Sequence, residues 1–200
     1  MKLKNIITII KDICLINRYI RRCNKRNFVT CIRTTCEIDE VLLRHLLDLN
    51  KGDSNAMRVF ILLVSSKKKH DIYNGEVNCV KIIKEHSFIE PMMQKFNFLS
   101  PATADTKIRC RELIKNRISV YPILTKDFKN AYLHGLKEKF GIVDTLYVPI
   151  CFFHHKTLVI LSIGLRKNHS EMDIRKSEQI HLELELLLSK CKGFTKWRKL

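Results

Sequence analysis

Near the start of the chain, apolar residues recur every three or four positions: Ile6, Ile9, Ile10, Ile13, Ile16 and Ile20. That period predicts an amphipathic helix over 3–23. Arg18, Arg21, Arg22, Lys25 and Arg26 gather at its end, where the helix dipole favours cations. Phe28–Arg33 is β-branched and aromatic enough for a short strand. Val41, Leu42, Leu46 and Leu49 mark a helix over 37–49, closed by the turn cluster 51–55. Met57–Ser65 is almost wholly apolar, which predicts a strand buried on both faces. Lys67, Lys68, Lys69 and His70 follow as a solvated polar loop.

The middle of the chain is more mixed. Val80, Ile83 and Phe88 predict a helix that stops before Pro91, and an apolar patch of Met92, Met93, Phe96, Phe98 and Leu99 comes next. Residues 100–105 read as a short linker. Ile108, Leu113 and Ile114 on one side, with Lys107, Arg109, Arg111 and Lys115 on the other, predict a basic helix over 105–117 that breaks at Tyr121-Pro122-Ile123. Thr125 can cap a helix over 126–140, and Gly141 can end it in the left-handed conformation. Residues 145–153 and 157–165 are β-rich runs joined by His154-His155-Lys156, the pattern of an antiparallel hairpin. Pro149 removes one ladder donor, which places it at an edge or a bulge. Ser170 and Asp173 have capping-box spacing and open a long helix over 171–191. The tail 190–199 is basic and carries the only Trp.

Phe128, Ala131, Gly135, Phe140-Gly141-Ile142, Val148-Pro149-Ile150, Leu158–Gly164 and Ser170–Leu188 form an ordered set. It is similar to the end of the GAF-like sensor domain. More closely, it resembles the N-terminal sensor half of LuxR-type bacterial transcription regulators. The resemblance covers residues 120–190. It implies an α+β, GAF/PAS-like α/β/α sandwich whose central, largely antiparallel sheet has about five strands. In that family a cavity between the sheet and one helical layer holds a small ligand such as an acyl-homoserine lactone. Two departures stand beside it. The family's Trp–Tyr–Asp pocket signature is missing from residues 57–110, and the residues after Cys191 are too few for a helix-turn-helix. The expectation is therefore action by protein contact.

Composition narrows the class further. Apolar residues make up 46% of the 200, enough for a core, and a folded chain of this size buries roughly 70% of the surface its unfolded form exposes. Six Gly and four Pro exclude collagen-like, mucin-like and wholly disordered readings. A net charge of +17 either meets something anionic, nucleic acid, a membrane surface or an acidic protein, or serves solubility alone. Lys11, Asp12 and Arg18 interrupt the first apolar stretch, which disfavours a transmembrane span and a secretory signal. The expected location is the cytoplasm, with the eight cysteines as free thiols.

Candidate chemistry is sparse. Cys151 and His154 have a Cys-x-x-His spacing, but they sit on a strand end and a turn, and no second ligand pair is near in sequence. Glu171, Glu178, Glu183 and Glu185 are spaced as the polar side of a helix. No Gly-rich phosphate loop is present. The expectation is a non-enzymatic protein with no metal and no cofactor. A ligand pocket, where one exists, would lie between the sheet and the segment 76–117, lined by Phe60, Leu62, Tyr73, Met92, Phe96, Tyr121, Val148, Ile150 and Leu161. The residues expected to meet nucleic acid or an acidic partner are Arg18, Arg21, Arg22, Lys25, Arg26, Lys192, Lys196, Trp197, Arg198 and Lys199, with Trp197 stacking on bases.

The domain organisation expected is a basic helix over 1–26, a sensor-like domain over 27–192 and a basic tail over 193–200. Three functions compete. One is a regulatory domain in transcription control, paired with itself or a full-length regulator and making weak DNA contacts. The second is an electrostatic nucleic-acid binder. The third is a peripheral membrane protein or effector using helix 3–23.

Overall fold

The computed structural model of the protein describes residues 25–50, 56–88, 100–124 and 141–197. The elements in order are helix α1 (Lys25–Asn50), strand β1 (Ala56–Ser65), a 3-10 turn (Asp71–Asn74), β2 (Cys79–Ser87), β3 (Ser100–Pro101), helix α2 (Ala104–Lys115), β4 (Tyr121–Leu124), β5 (Asp144–Phe153), β6 (Thr157–Leu165), helix α3 (Glu171–Ser189) and β7 (Phe194–Lys196). The predicted helices 3–23 and 126–140, and the apolar patch 92–99, lie outside the described residues. One antiparallel sheet runs β3-β2-β1-β6-β5-β4, with β7 on β5.

Strand periodicity divides the core in two. Val59, Ile61, Val159, Leu161, Ile163, Leu146, Val148 and Ile150 meet Ile38, Leu42, Leu46 and Leu49 of α1 and Ile180, Leu184 and Leu188 of α3. The intervening residues Phe60, Leu62, Val64, Leu158 and Ile160 face the other way, onto Ile72, Cys110, Leu113, Ile114 and Trp197. Each buried Leu or Ile contributes about 1.5–3 kcal/mol relative to exposure. Burial of β1 on both faces follows directly, as does the helix spacing of 38, 42, 46 and 49.

Several expectations change. Residues 28–33 are helical rather than a strand, because no Gly or Pro separates them from the strongly amphipathic run that follows. Residues 79–87 form β2 rather than a helix. In that strand Ile61 pairs with Lys84 and Leu62 with Ile82, so Ile83 is the extra residue of a bulge. The bulge mixes the two-residue period with longer spacings, which makes the sequence look helical. Tyr121-Pro122-Ile123 is not a break but part of β4, an edge strand that tolerates proline. Residues 194–196 are not a free tail; they pair with Cys151–Phe153.

Pro149 sits where both sequence-based conditions hold. On one side it lies in the gap between the β4 pairing at Tyr147 and the β7 pairing at Cys151. On the other, the register against β6 shifts between Pro149 and Cys151. The shift turns Ile150 and Cys151 toward the same core and Phe152 toward the opposite one.

Polar groups fix how α3 lies. Ser170 and Asp173 form the full capping box. The carboxylate of buried Asp144 accepts from Thr145 N at 2.7 Å and from His169 N at 2.9 Å, and meets His169 Nδ1 at 2.5 Å, which ties the entry of α3 to the start of β5. On α1, Asp39 meets His86 Nε2 at 2.9 Å and Lys84 Nζ at 3.4 Å, both from β2. The hydrogen bond from His86, opposed by burial and helped by the Lys84 charge, holds the Asp39 carboxyl below its ordinary value.

Leu42→Ala should cost about 2–5 kcal/mol in urea unfolding, and Leu43→Ala, on the half-exposed side of the same helix, clearly less. A depressed carboxyl stabilises the native state above its unfolded value and loses that contribution as pH falls through the folded value. Acid unfolding below about pH 4 should therefore flatten in Asp39→Asn, by at most about 1 kcal/mol for so exposed a pair.

Candidate functional site

The face of the sheet beneath α2 is apolar except at one end. Strand pairing sets Arg58 beside Gly164, Phe60 beside Ser162 and Ser162 beside Tyr147, all directed to that face. Arg58 is almost wholly buried, its guanidinium 5.4 Å from the centre of the Phe60 ring. Gly164 leaves the space Arg58 occupies: a Cβ there would stand 3.1 Å from Arg58 Nε. Thr145 is buried in the neighbouring row. Tyr121 enters from β4, its hydroxyl donating to Glu112 of α2 at 2.5 Å and accepting from Arg109 at 3.3 Å.

These groups are built for hydrogen bonding rather than for nucleophilic attack. Burial pushes the Tyr147 phenol up to about 12. Burial, helped by the bond to Glu112, also raises Tyr121. Both phenols keep their protons at neutral pH. The Cys110 thiol is pushed up to about 12 by burial, and Cys151 stands well above its ordinary value for the same reason. Neither thiol supplies a thiolate. Ser162 is fully buried, and its hydroxyl finds no hydrogen-bond partner among the described residues. Such a group costs about 1–3 kcal/mol unless something meets it.

The predicted pocket residues do not share one surface. Phe60, Leu62, Tyr73 and Tyr121 belong to the α2 face. Val148, Ile150 and Leu161 lie on the opposite face, in the core beneath α1 and α3, because they stand in the other phase of the two-residue period. Met92 and Phe96 lie outside the described residues. Reasoning from sequence missed Arg58 and Ser162, although a charged and a hydroxyl residue inside two otherwise apolar strands are a visible signal.

The predicted basic contacts are also redistributed. Trp197 is 1% exposed, stacked on Phe152 at 5.4 Å and covered by the Arg117 guanidinium at 5.8 Å. It has no free face for a base, so that expectation is overturned: β7 carries the indole into the core as its anchor. Lys196 pairs with Glu185 of α3 at 3.2 Å. Lys192 is exposed. Lys25 and Arg26 open α1, while Arg18, Arg21, Arg22, Arg198 and Lys199 lie outside the described residues. Among the described residues no cluster of His, Cys, Asp and Glu is arranged for a metal, and no helix is long and apolar enough to cross a membrane.

Solved structures share this architecture. A GAF domain region from Geobacter sulfurreducens PCA matches with a TM-score of 0.54 and 16% identity, over 82% of this chain and 97% of that one. The photoproduct state of GAF3 from Slr1393 of Synechocystis sp. PCC6803 matches with a TM-score of 0.53 and 15% identity, over 78% and 94%. The fold is GAF-like. The GAF domain of a two-component sensor histidine kinase from Bacillus halodurans adds a third match, with a TM-score of 0.50 and 15% identity over 76% and 93%. No protein-family model matches the chain, and no curated protein matches it. The GAF-like fold thus agrees with the expected α+β sandwich and its antiparallel sheet, which reaches seven strands when the short β3 and β7 are included.

Ser162→Ala should raise stability by about 1–3 kcal/mol in urea unfolding of the ligand-free chain, because it deletes a buried hydroxyl without a partner. Loss of stability on this substitution would mean that the hydroxyl is already satisfied.

Proposed function

We propose that the chain is a non-enzymatic regulatory domain of the sensor type that acts in transcription control by protein contact, its partner being a second copy of itself. One observation carries the contact reading. The outer side of the helical layer exposes Leu43 and Leu47 of α1, and Leu182 and Leu186 of α3, the last two at 62% and 68%. Each pair is four residues apart and so stands on one side of its helix. Between the two helices, Arg44 and His45 both reach Glu183.

Charge supports a second copy as partner. Helix α1 carries four carboxylates against Lys25, Arg26, Arg33 and Arg44, and α3 carries five against Arg175 and Lys176, with Glu37, Asp39 and Glu185 paired to Lys190, Lys84 and Lys196. In a chain of +17 this layer is close to neutral, with a small acidic excess on α3. The segment 3–23 combines regularly spaced isoleucines with lysines and arginines, the complementary chemistry. The resemblance of residues 120–190 to LuxR-type sensors supports transcription control as the setting. The buried hydroxyls beneath α2 offer hydrogen bonds to a small ligand that would bias the contact. A full-length regulator with a basic, apolar face is the other partner the test can reveal.

Sedimentation velocity of the full chain should show a concentration-dependent dimer. Leu182→Glu with Leu186→Glu should weaken it at least tenfold, with circular dichroism unchanged, since both side chains are exposed. A wild-type chain that stays monomeric at every concentration, and recovers no protein in a pull-down, would overturn the proposal.

A further inference from the structure

Three segments far apart in sequence meet at one end of the sheet. The loop after β1 is bonded to the β5–β6 turn through His70 N to His155 O at 2.7 Å and Ser66 N to Lys156 O at 3.0 Å. The turn after α3 joins them through His154 N to Gly193 O at 2.8 Å. A Cβ on Gly193 would come within 2.4 Å of the His154 ring, so only glycine lets the ring lie there. His70 and His155 stack with centroids 5.0 Å apart, and the Tyr73 hydroxyl meets His155 Nδ1 at 2.5 Å.

Lys67, Lys68, Lys69 and Lys192 ring this cluster, all exposed and none in an ion pair among the described residues. Lys156 stands in the turn itself. The one carboxylate within residues 66–73, 153–157 and 190–194 is Asp71. The end of the sheet is thus a concentrated cationic surface around a histidine stack.

The backbone adds a second, independent sign. Lys156 N bonds to Phe153 O at 3.0 Å, and the two residues between them, His154 and His155, have φ of 50° and 55°. That is the turn for which Asn-Gly is favoured; L side chains uncommonly adopt positive φ, although Asn, Asp and His do so more readily than the rest. His70 has φ of 68° as well. Three histidines held in left-handed backbone, all in one cluster, mark a place where side-chain chemistry is kept at the expense of backbone ease. Burial, the charges of Lys69 and Lys192, and His155 together hold His154 below its ordinary value. An anion placed among these groups would relieve their mutual repulsion.

We propose that this end of the sheet binds the phosphate backbone of a nucleic acid, through Lys67, Lys68, Lys69 and Lys192 with the His70–His155 stack beside them. A nucleic acid fits better than a lipid surface. The large exposed apolar side chains, Leu43, Leu47, Phe88, Ile108, Met172, Leu182 and Leu186, all lie outside these three segments, so nothing here would enter a bilayer. The stacked imidazoles and Tyr73 instead offer flat surfaces next to the cations.

The test uses the full chain and a fluorescein-labelled oligonucleotide, single-stranded and duplex, titrated by anisotropy across a salt series. Wild-type affinity should fall steeply with salt. The triple variant Lys67→Gln, Lys68→Gln, Lys69→Gln should bind at least tenfold more weakly at low salt, with the slope against log salt reduced by about 2–3. A second variant, His154→Asn with His155→Gly, gives the turn its preferred residues; it should unfold at higher denaturant yet bind more weakly. Equal affinity and slope in the triple variant would overturn the proposal and assign any binding to other basic segments. So would capture by anionic phosphatidylserine vesicles without oligonucleotide binding. Neither outcome depends on whether the helical layer pairs with a second copy.

Discussion

Everything in this fold depends on the burial of β1, β6 and the middle of β5 on both faces. A strand covered on one side only can alternate apolar with polar residues; these cannot. Val59, Ile61, Leu161 and Ile163 demand one cover, and Phe60, Leu62, Leu158 and Ile160 demand another. Helices α1 and α3 supply the first. Helix α2, the 3-10 turn and Trp197 supply part of the second. Polar residues buried in these strands are consequently conspicuous: Arg58, Thr145 and Ser162 sit together at one end of one face, while Ser65 and Asp144 are held by hydrogen bonds to Thr157 and to Thr145 and His169. A chain that needed only a core would place Val or Leu at Ser162.

Irregularities of the ladder do as much as the ladder itself. The bulge in β2 sends Lys84 and His86 to Asp39, which joins the sheet edge to α1. The shift at Pro149 turns Phe152 onto Trp197 and lets the short β7 close the sheet beside it. The tight turn at His154-His155 brings histidines, rather than the residues the backbone prefers, to the end of the sheet. Each departs from an ideal strand, and each lies where a side chain is redirected to a particular neighbour.

The charge of +17 is not spread evenly over the GAF-like body. The helical layer of α1 and α3 carries exposed leucines and nearly balanced charge, whereas the end of the sheet near the β5–β6 turn is nearly free of carboxylates. The two surfaces differ in chemistry, one carrying exposed leucines and the other cations around stacked imidazoles.

The order of residues alone settled the double burial of β1, the hairpin of β5 and β6, a helix expected over 105–117 and found at Ala104–Lys115, the capped start of α3 and the special place of Pro149. These are local matters: a few neighbouring positions set a period, a cap or a turn. Nothing local could show that 79–87 pair as a bulged strand or that Trp197 is buried. Only the tertiary structure divided Phe60 and Leu62 from Val148, Ile150 and Leu161, and only it gathered Lys67–Lys69, His154, His155 and Lys192. Those outcomes rest on pairings such as Ser65 with Thr157 and Phe152 with Thr195. The energy of such a pairing comes from a partner that the neighbouring residues do not name.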